Sequence, residues 1–299
     1  MTEIMNGRDL SAKVKMNLKK SVEGLKKVGV TPALAVILVG DDEASKVYVR
    51  NKHRAAEKIG IKTIDETMPA DSKQEDVIKM IEKYNNDPDV HGILVQMPLP
   101  KHIDEKAIID AIDPKKDVDG SHPENMGRLF MNEPQALPCT PRGIMELLKE
   151  YDIDVRGQEV VIVGRSNLVG RPLAALMINS SATVTVAHSV THDLQSVTKK
   201  ADILVAAVGK AKMFNKDYIK EGAVVIDVGI NRTAEGKLKV GDIAQAESVS
   251  YSDTEWKSVT LPHAFISSSL IAFLCSTSLF FLSSTITSRI ILSPFLHIY

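Results

Sequence analysis

The chain has 299 residues, a formal net charge of −1 and 44% hydrophobic residues, enough for two ordinary α/β domains with substantial cores. No basic block stands out, which excludes a nucleic-acid partner from the expectation, and residues 1–10 carry charges without the apolar core of a secretory signal. Cys139 and Cys275 are far apart and form no metal or redox pattern, so no metal is expected and a reducing cytoplasm suits the chain.

Asp9 is placed to cap a first helix, whose apolar residues Val14, Leu18, Val22 and Leu25 recur at helical spacing until Gly29. Ala33–Val39 is a continuous apolar run and reads as a buried strand, with Gly40-Asp41-Asp42 turning into a helix over 44–59. A strand at Lys62–Met68, a helix over 73–84, an Asn-Asn-Asp-Pro turn at 85–88 and a strand at Gly92–Val95 continue the alternation. Such alternation predicts a parallel sheet with helices on its faces.

Three features of this half carry chemistry. Tyr48 and Lys52 are four residues apart, so both lie on one face of the second helix. A ring beside an amine can stack on a flat substrate while the amine handles protons, although a surface pair on an amphipathic helix has the same spacing. Gln96 follows a strand and opens the proline loop Met97-Pro98-Leu99-Pro100, where a neutral amide can orient an amine or cap local backbone. Asp117-Val118-Asp119-Gly120 offers two acids, one of which can clamp a ring bearing amino and N–H donors; a plain acidic turn is the alternative.

A linking helix over 141–151 leads to Val160-Val161-Ile162-Val163-Gly164-Arg165-Ser166, with Gly170-Arg171-Pro172 opening the next helix over 172–179. Strand, glycine turn and helix start make an anion cradle, because free N–H groups and the helix dipole attract phosphate. The spacing is G-x-S-x-x-x-G and not G-x-G-x-x-G, so context must support it. The strand over 182–187 completes a βαβ unit, and the apolar runs 201–209 and 223–230 end in or near glycine as buried parallel strands do. Where an acid would hold the ribose of NAD, the chain has His188-Ser189, while Arg165 can grip a 2′-phosphate; both favour NADP.

Tyr48-Val49-Arg50-Asn51-Lys52, the run from Gly92 through Gln96 to Pro100, Lys116-Asp117-Val118-Asp119-Gly120, His122-Pro123, Pro138-Cys139-Thr140-Pro141 and Gly164-Arg165-Ser166 stand in order along the chain. Together they resemble the bifunctional methylenetetrahydrofolate dehydrogenase/methenyltetrahydrofolate cyclohydrolase family, from Met5 to Ile243. The resemblance implies two α/β domains around a cleft, a folate-binding catalytic domain over 1–138 and a Rossmann-like NADP-binding domain over 139–250. It implies Tyr48, Lys52, Gln96 and Asp119 at the folate site, with Lys52 moving protons in the hydrolytic step, Gln96 aiding it, Tyr48 stacking and Asp119 holding the pterin. It implies Gly164, Arg165, Ser166, Ser189 and Ile230 at the NADP site, and a cytoplasmic homodimer.

Beyond Ile243 the resemblance ends. The family's Pro-Gly-Gly-Val-Gly-Pro loop has no counterpart, since no glycine follows Gly241. Residues 264–288 are uncharged and mix Phe, Leu and Ile with many Ser and Thr, so 251–299 reads as an atypical tail, a replaced or out-of-frame ending. The hydroxyl content makes a membrane helix a poor reading of it. The missing loop sets an alternative beside the enzyme: a non-catalytic NADP- or folate-binding remnant.

Overall fold

In the computed structural model, residues 5–229, 231–232, 239–243 and 257–260 are described. The chain divides into two compact units. The described residues of Lys15–Arg128 and Pro134–Leu137 form one, and those of Met1–Val14, Leu129–Glu133 and Pro138–Ser268 form the other.

The first helix, α1 (Gly7–Lys27), starts two residues before the cap expected at Asp9. Asn6 takes that role, its Oδ1 accepting from the Arg8 amide at 3.0 Å, while Asp9 accepts from Asn6 Nδ2 at 2.7 Å. Asparagine and aspartate cap about equally well, so the earlier of two suitable residues sets the start.

In the Lys15–Arg128 unit, β1 (Ala33–Val39) leads through α2 (Glu43–Ile59) to β2 (Lys62–Met68), and α3 (Gln74–Asn85) to β3 (Gly92–Val95). The sheet order is β2-β1-β3, all parallel, with Leu34 opposite both Thr63 and Gly92. All seven residues of β1 are buried, as expected of a central strand covered on both faces. Val77, Ile81 and Tyr84 recur along one side of α3 and are buried, and Val77 and Ile81 join the cluster that includes Ile37 and Ile93. Two short helices, α4 (Glu105–Asp110) and α5 (Pro123–Phe130), follow.

In the other unit, α6 (Cys139–Glu150) precedes β4 (Glu159–Val163), α7 (Gly170–Asn179), β5 (Thr183–Ala187), α8 (Leu194–Thr198), β6 (Ile203–Ala206) and β7 (Val224–Asp227). A two-stranded antiparallel pair, β8 (Asn231–Arg232) with β9 (Lys239–Val240), comes next. The last described strand is β10 (Lys257–Thr260), and the sheet order is β10-β7-β6-β4-β5, all parallel. From β4 the chain moves outward to β5 and then returns to β6 on the opposite side, so the strand order reverses between β4 and β6. Ligands of open α/β sheets bind outside the carboxyl ends of the strands at such a point.

Strand β10 falls within the stretch read as an atypical tail, and its Lys257–Thr260 pairs with β7 from Lys257 opposite Val224 to Thr260 opposite Asp227. Four residues are too few to show a period, and the pairing is supplied by the open edge of β7. The apolar stretch 264–288 lies outside the described residues, and no described helix is long and apolar enough to cross a membrane.

Candidate functional site

The sequence places chemistry in each unit. In the first, α2 starts shortly after β1, where Asp42 caps it by accepting from the Ser45 amide at 2.7 Å. The cap sets where α2 begins, and Tyr48 and Lys52, four residues apart, share one of its faces. Tyr48 is half-buried, and Lys52 is only 7% exposed. A lysine so withdrawn from water needs a partner. Its Nζ donates to Gln96 Oε1 at 3.2 Å, and Gln96 Nε2 in turn donates to the Met97 carbonyl at 2.6 Å. The Gln96 amide is held by the Ile37 carbonyl of β1 at 2.9 Å, and a cis Met97–Pro98 bond follows. Lys52 and Gln96 are thus both positioned from β1, and an amide acceptor aligns the amine without adding negative charge beside it.

Asp117 and Asp119 have different surroundings. A parallel bridge between Ile93 and Asp117 lays this segment along β3, heading toward the end where Gln96 sits. Asp117 is buried, and its carboxylate accepts from the His122 amide at 2.8 Å and from Asn125 Nδ2 at 2.9 Å. It is therefore committed to holding the turn into α5. Asp119 is half-buried and follows it toward the carboxyl end. The acidic turn thus contains a structural acid, which sequence alone left undivided from its neighbour.

In the second unit, Gly164 and Gly170 bring the turn after β4 into close packing. Gly164 has φ +129°, and a Cβ there would fall on the Ala207 carbonyl oxygen; one at Gly170 would fall on the Gly164 oxygen. Only glycine fits either position. The Gly164 amide donates to the Ala187 carbonyl at 2.9 Å, which ties the ends of β4 and β5 together and sets Ser189 two residues from that junction. Among the described residues, the amides of Arg165, Ser166 and Asn167 donate to no protein acceptor. Ser166 Oγ accepts from the Val169 amide at 3.2 Å, and Arg171 braces the turn by donating from Nε to the Arg165 carbonyl at 3.2 Å. Arg165, Ser166 and Ser189 are exposed. Open amides, a helix amino end and an exposed guanidinium together suit a dinucleotide carrying several phosphates. Ile230 lies outside the described residues.

A pair of acids was not singled out from sequence. Asp227 and Asp242 are 3% and 0% exposed, beside the ends of β6 and β7. Burial pushes the Asp227 carboxyl above the usual carboxylate range, against hydrogen bonds from the amides of Ile243, Asp242 and Gly229. The available signal was an acid inside the otherwise apolar run Val224-Val225-Ile226-Asp227-Val228.

Both units have counterparts among known proteins. The catalytic-domain description of the tetrahydrofolate dehydrogenase/cyclohydrolase family matches residues 5–119, and its NAD(P)-binding-domain description matches 138–255. The Bifunctional protein FolD of Ligilactobacillus salivarius is 58% identical over 247 residues, covering 83% of this chain and 86% of that protein. The crystal structure of the bifunctional FolD dehydrogenase/cyclohydrolase from Campylobacter jejuni is 42% identical, with a TM-score of 0.85, covering 93% of this chain and 97% of that one. The Trypanosoma brucei FolD, solved with NADP and an inhibitor, is 32% identical with a TM-score of 0.84, covering 93% of this chain and 96% of that one.

Proposed function

The chain belongs to the tetrahydrofolate dehydrogenase/cyclohydrolase family, and from that premise we propose a division of labour among its residues. It is an NADP-dependent 5,10-methylenetetrahydrofolate dehydrogenase and 5,10-methenyltetrahydrofolate cyclohydrolase of one-carbon metabolism. In this reading Gly164, Arg165, Ser166, Ser189 and Ile230 hold NADP, with Arg165 and Ser189 toward the 2′-phosphate and the glycine turn toward the pyrophosphate. Bound NADP supplies a hydride acceptor. The substrate carbon lies between two nitrogens whose lone pairs assist hydride departure, so the protein needs to orient the partners and provides no strong base.

Hydrolysis is where the chain's own groups move protons. Water adds to the methenyl carbon, and Lys52 takes the proton that the attacking water releases. The same amine returns a proton to the ring nitrogen as its bond to that carbon breaks, while the remaining hydroxyl proton passes to solvent as the formyl C=O forms, leaving 10-formyltetrahydrofolate. Gln96 aims the amine, Tyr48 stacks on the folate, and Asp119 accepts from the pterin's amino and N–H donors. The observation that carries the assignment is the buried Lys52 amine donating to the Gln96 amide. Support for the homodimer is the exposed edge strand β5, where Val186 is 37% exposed; the resemblance supplies the cytoplasmic location.

The test is to assay both activities in Lys52→Met. Hydrolysis of methenyltetrahydrofolate should fall by about 100-fold or more, the range of a lost general acid–base group, while NADP affinity by calorimetry stays within about twofold. Normal hydrolysis in this variant would remove Lys52 from the mechanism.

A further inference from the structure

Two loops at the carboxyl edge of the five-stranded sheet carry consecutive backbone amides, and they are used differently. In the turn after β4, the amides of Arg165, Ser166 and Asn167 have no protein acceptor among the described residues. In the turn after β6, three consecutive amides converge on one carboxylate. Val208 and Gly209 donate to Asp242 Oδ2 at 2.7 and 3.0 Å, and Lys210 donates to Oδ1 at 2.8 Å. Asn231 Nδ2 adds a fourth bond to Oδ1 at 3.0 Å. Such a run of amides is an anion-binding concavity. Here the anion is part of the chain.

Asp242 is held from behind. Its own amide donates to Asp227 Oδ1 at 2.9 Å, and the Ile243 amide donates to Asp227 Oδ2 at 3.0 Å. Glycines make room for both acids: a Cβ at Gly229 would fall on the Asp242 carboxylate, and one at Gly241 on that of Asp227. No lysine or arginine pairs with Asp242 among the described residues, so its charge is balanced by amide dipoles. A buried carboxylate with this many donors stays ordered, and truncating it leaves those donors unsatisfied.

We infer that Asp242 is a positioning residue for NADP: a built-in anion that fills the amide nest after β6 and fixes the loop Val208-Gly209-Lys210. Filling that nest leaves the turn after β4 as the open phosphate cradle on this edge of the sheet. The fixed loop then meets the cofactor at the switch point of the strand order. The inference rests on the NADP reading of the Gly164 turn.

The test is Asp242→Asn in the full chain, which keeps shape but removes the charge and turns an NH2 group toward amide donors. Four measurements are made on one preparation of each protein: NADP affinity by calorimetry, dehydrogenase kinetics in NADP and in the folate substrate, methenyltetrahydrofolate hydrolysis, and hydrogen exchange of Val208, Gly209 and Lys210 without cofactor. The expected result is about tenfold or weaker NADP binding, the scale of lost charge-assisted hydrogen bonds. The KM for NADP should rise while that for the folate substrate holds, exchange at the three amides should quicken, and hydrolysis should stay within about twofold. Unchanged NADP affinity in the variant beside a wild type that binds NADP would overturn the inference alone. Parallel loss of NADP binding and hydrolysis would make Asp242 a folding residue and overturn it too. A wild type that binds no NADP would overturn both this inference and the cofactor reading beneath it.

Discussion

His91 shows how one neutral side chain ties a strand to pH. Its Nδ1 accepts from the Ala33 amide at 3.3 Å, at the start of β1, and its own amide donates to the Ala33 carbonyl at 2.9 Å. Burial first, and the Lys116 charge second, pull its pKa below the ordinary histidine value, against the opposing pull of Asp89 and Asp87. The unfolded chain therefore takes a proton near pH 6.5 that the folded chain refuses. This contribution to stability is complete above that pH and declines as pH falls toward the folded pKa. Denaturant titrations between about pH 7.5 and 5 should show a shallower loss of stability in His91→Gln than in the wild type; parallel slopes would contradict the account. At this scale the sequence was legible for two pieces of geometry, the Gln96 amide beside the Lys52 amine and the tight turn at Gly164. It was not legible for Asp117 against Asp119, because two acids in one turn differ only in which amides reach them. Nor was it for Asp242, whose four donors come from residues 11 to 34 positions away.

Among the elements, α2 matters most to the site, and its amino end depends on Asp42. Replacing Asp42 with Ala removes the bond to the Ser45 amide and should cost about 1 kcal/mol of stability, with Asp42→Ser recovering most of it. Denaturation midpoints of the three proteins check this, and hydrolysis rates report whether the helix carrying Lys52 has moved. Strands and long helices were readable from periodicity and from apolar runs closed by glycine. The short elements were not: α4, α8, β8, β9 and β10 have between two and six residues, less than two turns of helix or too few residues for an alternation to register. The capping of α1 was displaced for a similar reason, since Asn6 and Asp9 are both good caps and only geometry chooses.

For the molecule as a whole, the two constellations belong to separate compact units, Tyr48, Lys52, Gln96 and Asp119 to one and the glycine cradle to the other. Ligands should therefore leave separate imprints. Saturating NADP should slow hydrogen exchange in the turn from Gly164 to Gly170 and in α7, and a folate analogue should slow it in α2 and around Gln96. At about 100 times its dissociation constant, NADP should add about 2.7 kcal/mol to the stability of the unit that binds it. Protection by NADP confined to α2 would contradict the assignment. The sheet of the cradle unit has a further consequence during synthesis. Because β10 is drawn from residues 257–260, β7 has no neighbour on that side until this stretch has left the ribosome. A nascent chain whose emerged part ends between 230 and 256 would present an unguarded backbone edge to other nascent chains, an opening for mispairing that chaperones would have to shield.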